Sequence, residues 1–217
     1  MGKIGFYREA EMLPYAQYSM LNMDANTGEN SGTAFAGCDR YICVCRYSGI
    51  IKASLIRYKF YGRAQYYRTY AALMQKKLVE FDSILSSTDM LVSVPLHQKR
   101  MKKRGYNQAY LISEQLSRLT GIPERSHIIK RETHSDNQSH ISGNIRHRNI
   151  KGAFSVCSHD GVPGKRILLI DDIITTGSTI NECAAVLKKA GASDVTGFAL
   201  ASGRRRYKTQ LIKNTVD

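Results

Sequence analysis

Apolar residues along the chain follow two rhythms, one recurring every three to four residues and one in short unbroken runs. Ile51, Leu55 and Tyr58 fall at helical spacing, and Gly62 stands where such a helix would stop. Tyr67, Ala71, Met74 and Leu78 predict a second amphipathic helix, and Ala109, Ile112, Leu116 and Leu119 a third, closed by Gly121 and Pro123. The runs are strand-like. MLVSVP (90–95) is apolar, β-branched and ended by proline, which predicts a buried strand, and short strands are expected over 127–130 and 152–157. The clearest unit is a strand over 166–171, a Thr/Gly/Ser turn, a helix carrying Ile180, Cys183, Ala184 and Leu187, Gly191 as its stop, and a strand over 194–200. That order is a βαβ unit of a buried parallel sheet. Residues 1 to about 45 show no sustained period and are expected to be irregular. Residues 132–149 are strongly polar and predict a long loop, of the kind that serves as a functional lid.

Composition narrows the partners more than the fold. The 217 residues are 42% hydrophobic and 23% charged, ordinary for a globular chain and incompatible with wholesale disorder. Charge is the outlier: 32 Lys+Arg against 18 Asp+Glu give +14. That excess points to an anionic partner, with plain solubility as the alternative. No stretch reaches the ~18 consecutive apolar residues of a membrane span, and Glu9 and Glu11 interrupt any leader, so no membrane insertion is expected. Five cysteines, spaced as Cys38-x4-Cys43-x-Cys45 with Cys157 and Cys183 far away, make no disulfide framework. A reducing, cytoplasmic compartment fits.

Candidate chemistry concentrates at LLIDDIITTGST (168–179). Two adjacent acids, Asp171 and Asp172, end a buried strand, at the edge where open parallel sheets bind ligands. They would repel each other unless a cation or hydrogen-bond donors lay between them, and vicinal sugar hydroxyls, with or without a metal ion, would serve. Thr175, Thr176, Gly177, Ser178 and Thr179 then offer hydroxyls and backbone N–H groups at a helix N-terminus, where an anion is favoured. Acids for a sugar followed by a nest for a phosphate suit a ribose 5-phosphate. The alternative is that Asp172 and Thr179 serve only the turn and the helix cap. The G-x4-G-K-[ST] loop and the G-x-G-x-x-G fingerprint are both absent from the sequence.

The segment resembles the phosphoribosyl-pyrophosphate (PRPP) signature of type I phosphoribosyltransferases. The resemblance implies that Asp171 and Asp172 contact the ribose hydroxyls, as the catalytic pair, and that Thr175 to Thr179 hold the 5′-phosphate. A second segment, PLHQKRMKKRGYNQA (95–109), follows a predicted strand as a loop with five basic residues. Pro95, Leu96, His97, Arg100 and Arg104 are its candidates for the pyrophosphate, with a solvated basic face and a backbone-satisfied His97 as the plainer readings. This stretch is similar to the ComF family, competence-associated phosphoribosyltransferase-like proteins of bacteria, through Pro95-Leu96-His97, Arg100 and Arg104 to Ala109. Arg131-x-Thr133-x4-Gln138, Arg146-x-x-Asn149-x-x-Ala153-Phe154 and Tyr47-x-Gly49-x9-Tyr58-Lys59-Phe60-x-Gly62 agree with it.

What the resemblance implies is an open, mainly parallel α/β sheet with helices on both faces over 46–202. In front of it lies an irregular region (1–45) where the family's zinc module is diverged or lost, and behind it a basic tail (203–217). Cys38, Cys43 and Cys45 form no C-x-x-C pair, so no zinc is expected. Mg2+ is expected with PRPP and without direct protein ligands, and Gln138, Arg146 and Arg148 belong to the implied lid. The expected activity is transfer of ribose 5-phosphate with release of pyrophosphate; no residue stands out as a general base or identifies the acceptor. The alternative implied by the family is a non-catalytic module that binds single-stranded DNA or a competence helicase, with Arg204 to Arg206 adding phosphate contacts. A homo-oligomer is left open.

Overall fold

The computed structural model describes residues 37–132, 152–158 and 161–203 of the chain. The predicted lid with Gln138, Arg146 and Arg148, the first 36 residues and the tail with Arg204 to Arg206 lie outside the described residues.

Among the described residues four parallel strands form the sheet, in the order β1-β6-β5-β2. They are β1 (Arg40–Arg46), β2 (Met90–Ser93), β5 (Arg166–Ile174) and β6 (Asp194–Ser202). The helices are α1 (Gly49–Phe60), α2 (Tyr66–Val79), α3 (Asp82–Ser87), α4 (Gln98–Arg104), α5 (Gln108–Thr120) and α6 (Ser178–Lys189). A separate antiparallel pair joins β3 (Ile129–Arg131) to β4 (Phe154–Val156). Alternation along the strands sorts the core into two clusters. Leu91, Leu168, Ile170, Phe198 and Leu200 pack with Leu55, Tyr58, Met74, Leu78, Ile112 and Leu116 of α1, α2 and α5. Val92, Ile167, Leu169, Val195 and Ala199 pack with Ile180, Cys183, Ala184 and Leu187 of α6. A parallel sheet covered on both faces explains why its strands read as unbroken apolar runs.

Helix α3 was not expected, and the strand expected over 127–130 begins only at Ile129; three further differences bear on the site and its scaffold. Residues 40–46 are not irregular: RYICVCR is an edge strand paired from Arg40↔Thr196 to Arg46↔Ser202. Its alternation is hidden because Tyr41, Ile42, Cys43 and Cys45 are all buried, two of them as cysteines. The basic stretch after Pro95 is a helix, α4, bounded by His97 at its N-cap and by Gly105, whose φ of 79° only glycine adopts readily. It buries no residue, so no apolar period announces it. Finally, β5 does not stop at Asp171 but continues to Ile174, because pairing with β6 persists through Ile173↔Ala201 and Ile174↔Ser202.

The topology places a crevice. After β2 the chain runs outward through α5 and returns beside β2's free edge, where Leu91 N–H bonds to Pro123 O at 2.9 Å and Arg125 N–H to Leu91 O at 2.8 Å. β5 pairs with the other edge of β2. Connections from β2 and β5 thus leave in opposite directions, and the space beyond their carboxyl ends is left open, as at the switch point of doubly wound sheets.

Candidate active site

The cleft at that switch point has a volume of about 200 Å³ and two walls. One comes from β5 and the turn into α6: Asp171, Asp172, Ile173, Thr175 and Thr179. The other comes from the end of β2 and the helices after it: Val94, Pro95, Leu96, Arg100, Arg104 and Asn107 to Ala109. Asn107 holds this second wall to the sheet. Its side-chain oxygen accepts from Ala109 N–H at 3.1 Å as the N-cap of α5, while its Nδ2 donates to Val94 O at 3.0 Å. Val94 N–H in turn bonds to Ile170 O of β5 at 2.9 Å.

The two acids differ in their surroundings. Asp172 is buried, and its Oδ1 lies 2.8 Å from Lys59 Nζ at the C-terminal end of α1. Asp171 accepts the backbone N–H of Asp172 at 2.8 Å. Burial, and then the neighbouring Asp172 charge, push its carboxyl up to about 7, with Lys59 pulling the other way. Beyond them the β5–α6 turn is closed by Gly177, at φ 83°, and by Thr176 Oγ1, which accepts Ser178 N–H at 3.3 Å.

Arginines complete the lining. Burial lowers the pKa of Arg104, although Asp172 favours its charge; its Nη1 donates to Gln108 Oε1 at 2.9 Å and its guanidinium stacks 4.9 Å from the Phe60 ring. Arg131, from β3, also lines the cleft, stacked 5.2 Å from Phe154, and burial lowers its pKa too, with Arg100 adding to the effect. Two acids and three arginines lining one cleft make a site for a molecule that carries both hydroxyls and an anion.

Of the residues expected from sequence, Asp171, Asp172, Thr175, Thr179, Pro95, Leu96, Arg100 and Arg104 meet in this cleft. Thr176, Gly177 and Ser178 shape the turn without lining it. His97 is not at the cleft wall; its Nδ1 accepts Lys99 N–H at 3.1 Å and caps α4. Lys59, Asn107, Gln108 and Arg131 were not assigned to the site. Each stands inside a segment whose pattern matches the family, and that was the available signal. The three cysteines near the start sit in the packing of the sheet: Cys43 and Cys45 are buried, and Cys45 Sγ donates to Leu200 O at 2.9 Å. Burial pushes the thiols of Cys38 and Cys45 up to about 12.

Comparison with known proteins finds a matching family and several relatives. The family described as "Phosphoribosyl transferase domain" matches residues 102–215. Competence protein F of Haemophilus influenzae is 36% identical over 166 residues, 75% of this chain and 72% of that protein. The DNA utilization protein YhgH of Salmonella typhimurium is 31% identical over 163 residues, 74% of this chain and 71% of that protein. Among solved structures, purine phosphoribosyltransferase from Pyrococcus horikoshii Ot3 aligns over 67% of this chain and 92% of its own, at 14% identity and a TM-score of 0.40. The chain belongs to the ComF family of phosphoribosyltransferase-fold proteins.

Proposed function

We propose that the cleft binds PRPP and that the chain transfers its ribose 5-phosphate to an acceptor, releasing pyrophosphate. The observation that carries this reading is the convergence of an acid pair, Thr175 and Thr179 with three arginines in one cleft. In this arrangement Asp171 and Asp172 hold the ribose hydroxyls, and the turn from Thr175 to Thr179 holds the 5′-phosphate at the N-terminus of α6. Arg100, Arg104 and Arg131 face the pyrophosphate. The C1–oxygen bond breaks with its electron pair leaving on pyrophosphate, and a nucleophilic atom of the acceptor bonds to C1. Fixing the two phosphate ends and neutralising the leaving group supply the rate enhancement. The oxygen donors lining the cleft suit a hard cation such as Mg2+ carried in with the pyrophosphate, without a direct protein ligand. When bound with PRPP, Mg2+ would neutralise part of the pyrophosphate charge.

Calorimetric titration of the folded chain with PRPP and Mg2+ tests the reading. Heat of binding is expected, and loss of that heat in the Asp171→Asn/Asp172→Asn variant. A folded wild-type chain that gives no heat ends the proposal.

A second reading, binding of single-stranded DNA, is favoured by one surface feature. Lys99, Arg100, Lys102 and Lys103 are exposed on α4, and the Arg104–Phe60 stack brings them beside Phe60 and Tyr61, which are 58% and 69% exposed. Cations next to open rings form a stacking platform for unpaired bases. The relatives named for competence and DNA utilization supply the setting, and five free cysteines fit a reducing cytoplasm. Lys102→Ala/Lys103→Ala is expected to weaken oligonucleotide binding and to flatten its salt dependence by roughly 0.7 logarithmic units per lost phosphate contact. Anisotropy that does not respond to salt argues against this reading.

A further inference from the structure

Two neighbouring carboxylates on a cleft wall need positive charge beside them, and α1 delivers it across 113 residues of sequence. The arm that carries Lys59 is rigid. Tyr58 is fully buried, its hydroxyl donates to Gln108 O at 2.9 Å, and Tyr106 OH donates to Tyr58 O. These bonds lock the C-terminal end of α1 to the start of α5, on the cleft. From there Lys59 Nζ reaches Asp172 Oδ1 at 2.8 Å, with the two side chains 18% and 7% exposed. Both residues line the cleft, so the ammonium faces whatever ligand the acids face.

A divalent cation approaching Asp172 meets a like charge already at hydrogen-bond distance. An expelled ammonium would remain in a cleft that also holds Arg100, Arg104 and Arg131. Sugar hydroxyls meet no such barrier: each can donate to a carboxylate and accept from the ammonium. Because the pair is largely out of water, its removal is costly, unlike that of a surface ion pair.

Resting on the PRPP reading, we propose that Lys59 is the resident cation of the Asp171–Asp172 pair. It stands where a divalent ion would otherwise stand, so the cleft takes up the ribose 5-phosphate half of its substrate without a metal. Any need for a divalent cation then comes from the pyrophosphate half.

Ribose 5-phosphate isolates the first half. Its binding to the full chain is measured by calorimetry or ligand-observed NMR, in EDTA and in excess Mg2+, with PRPP titrated in parallel. Equal wild-type affinity in the two buffers is expected. Lys59→Met should lose roughly tenfold in EDTA, the cost of one charged hydrogen bond, and recover with Mg2+, while Lys59→Arg stays indifferent to the metal. A merely structural lysine predicts equal weakening in both buffers, and that result overturns the proposal. So does wild-type affinity that collapses in EDTA, a measurement that needs no variant to fold. If PRPP binds with Mg2+ while ribose 5-phosphate proves metal-dependent, the role of Lys59 falls and the PRPP reading stands. If the folded chain binds neither, both fall together.

Discussion

Asp171 and Asp172 are adjacent in the chain but not in their electrostatics. Asp172 has an ammonium at 2.8 Å, whereas burial and its neighbour's charge push Asp171 up to about 7. A carboxyl whose folded pKa lies above its unfolded value binds more protons folded than unfolded across the interval. Stability contributed by the protonated form is therefore lost as pH rises from about 4 through about 7, and the cost persists above it. Asp171→Asn keeps the oxygen that accepts Asp172 N–H and removes the titration. The variant should melt higher than the wild type at about pH 8, by an amount on the order of 2–4 kcal/mol, with the difference shrinking toward about pH 4. Parallel melting curves for the two proteins across that range would refute this. The acid pair was legible in the sequence because a turn or cap role alone does not explain two adjacent carboxylates after an apolar run. Lys59 was not, since one lysine on an amphipathic helix is indistinguishable from a solvated one until the fold sets it against a residue 113 positions away.

At the scale of elements, legibility followed burial. Helices α1, α2, α5 and α6 each bury residues at helical intervals and were readable from that period. Helix α4 buries none, and its evidence was confined to its ends, His97 as N-cap and Gly105 as a left-handed stop. Its cations in the last turn favour the helix through its dipole, but the same residues suit a basic loop. The strand β1 failed for the opposite reason: too much of it is buried for an edge strand to show alternation. In β5 the acids looked like an end, yet pairing with β6 carries the strand past them, so that Asp171 and Asp172 are held by sheet hydrogen bonds instead of by a loop. That difference matters for function, because groups fixed on a strand keep their geometry better than groups on a turn.

At the scale of the whole molecule, β1 moves the start of the folded unit forward from the boundary at 46 that sequence pattern suggests. Beyond its pairing with β6, the segment is tied down by side chains. Asp39 accepts Val195 N–H at 2.7 Å and pairs with Lys188 at 2.8 Å, Arg40 pairs with Asp194 at 2.6 Å, and Tyr41 OH donates to Asn181 Oδ1. Gly197, in the middle of β6, is packed so closely that a Cβ there would meet Tyr41 and Ile180 at 3.0 Å and Cys38 at 3.2 Å. The edge of the sheet is therefore built from β1, β6 and α6 together. Removing β1 would bare the backbone of β6 and one side of Phe198, whose neighbours in the core include Ile42. A chain beginning at Gly37 should unfold in one cooperative transition. A chain beginning at Tyr47 should lose that transition or melt far lower, and expose surface that binds a hydrophobic dye. Thermal melts of the two chains decide the matter: equal midpoints would mean that residues 40–46 decorate the sheet, while the expected gap makes them part of the unit that holds the cleft.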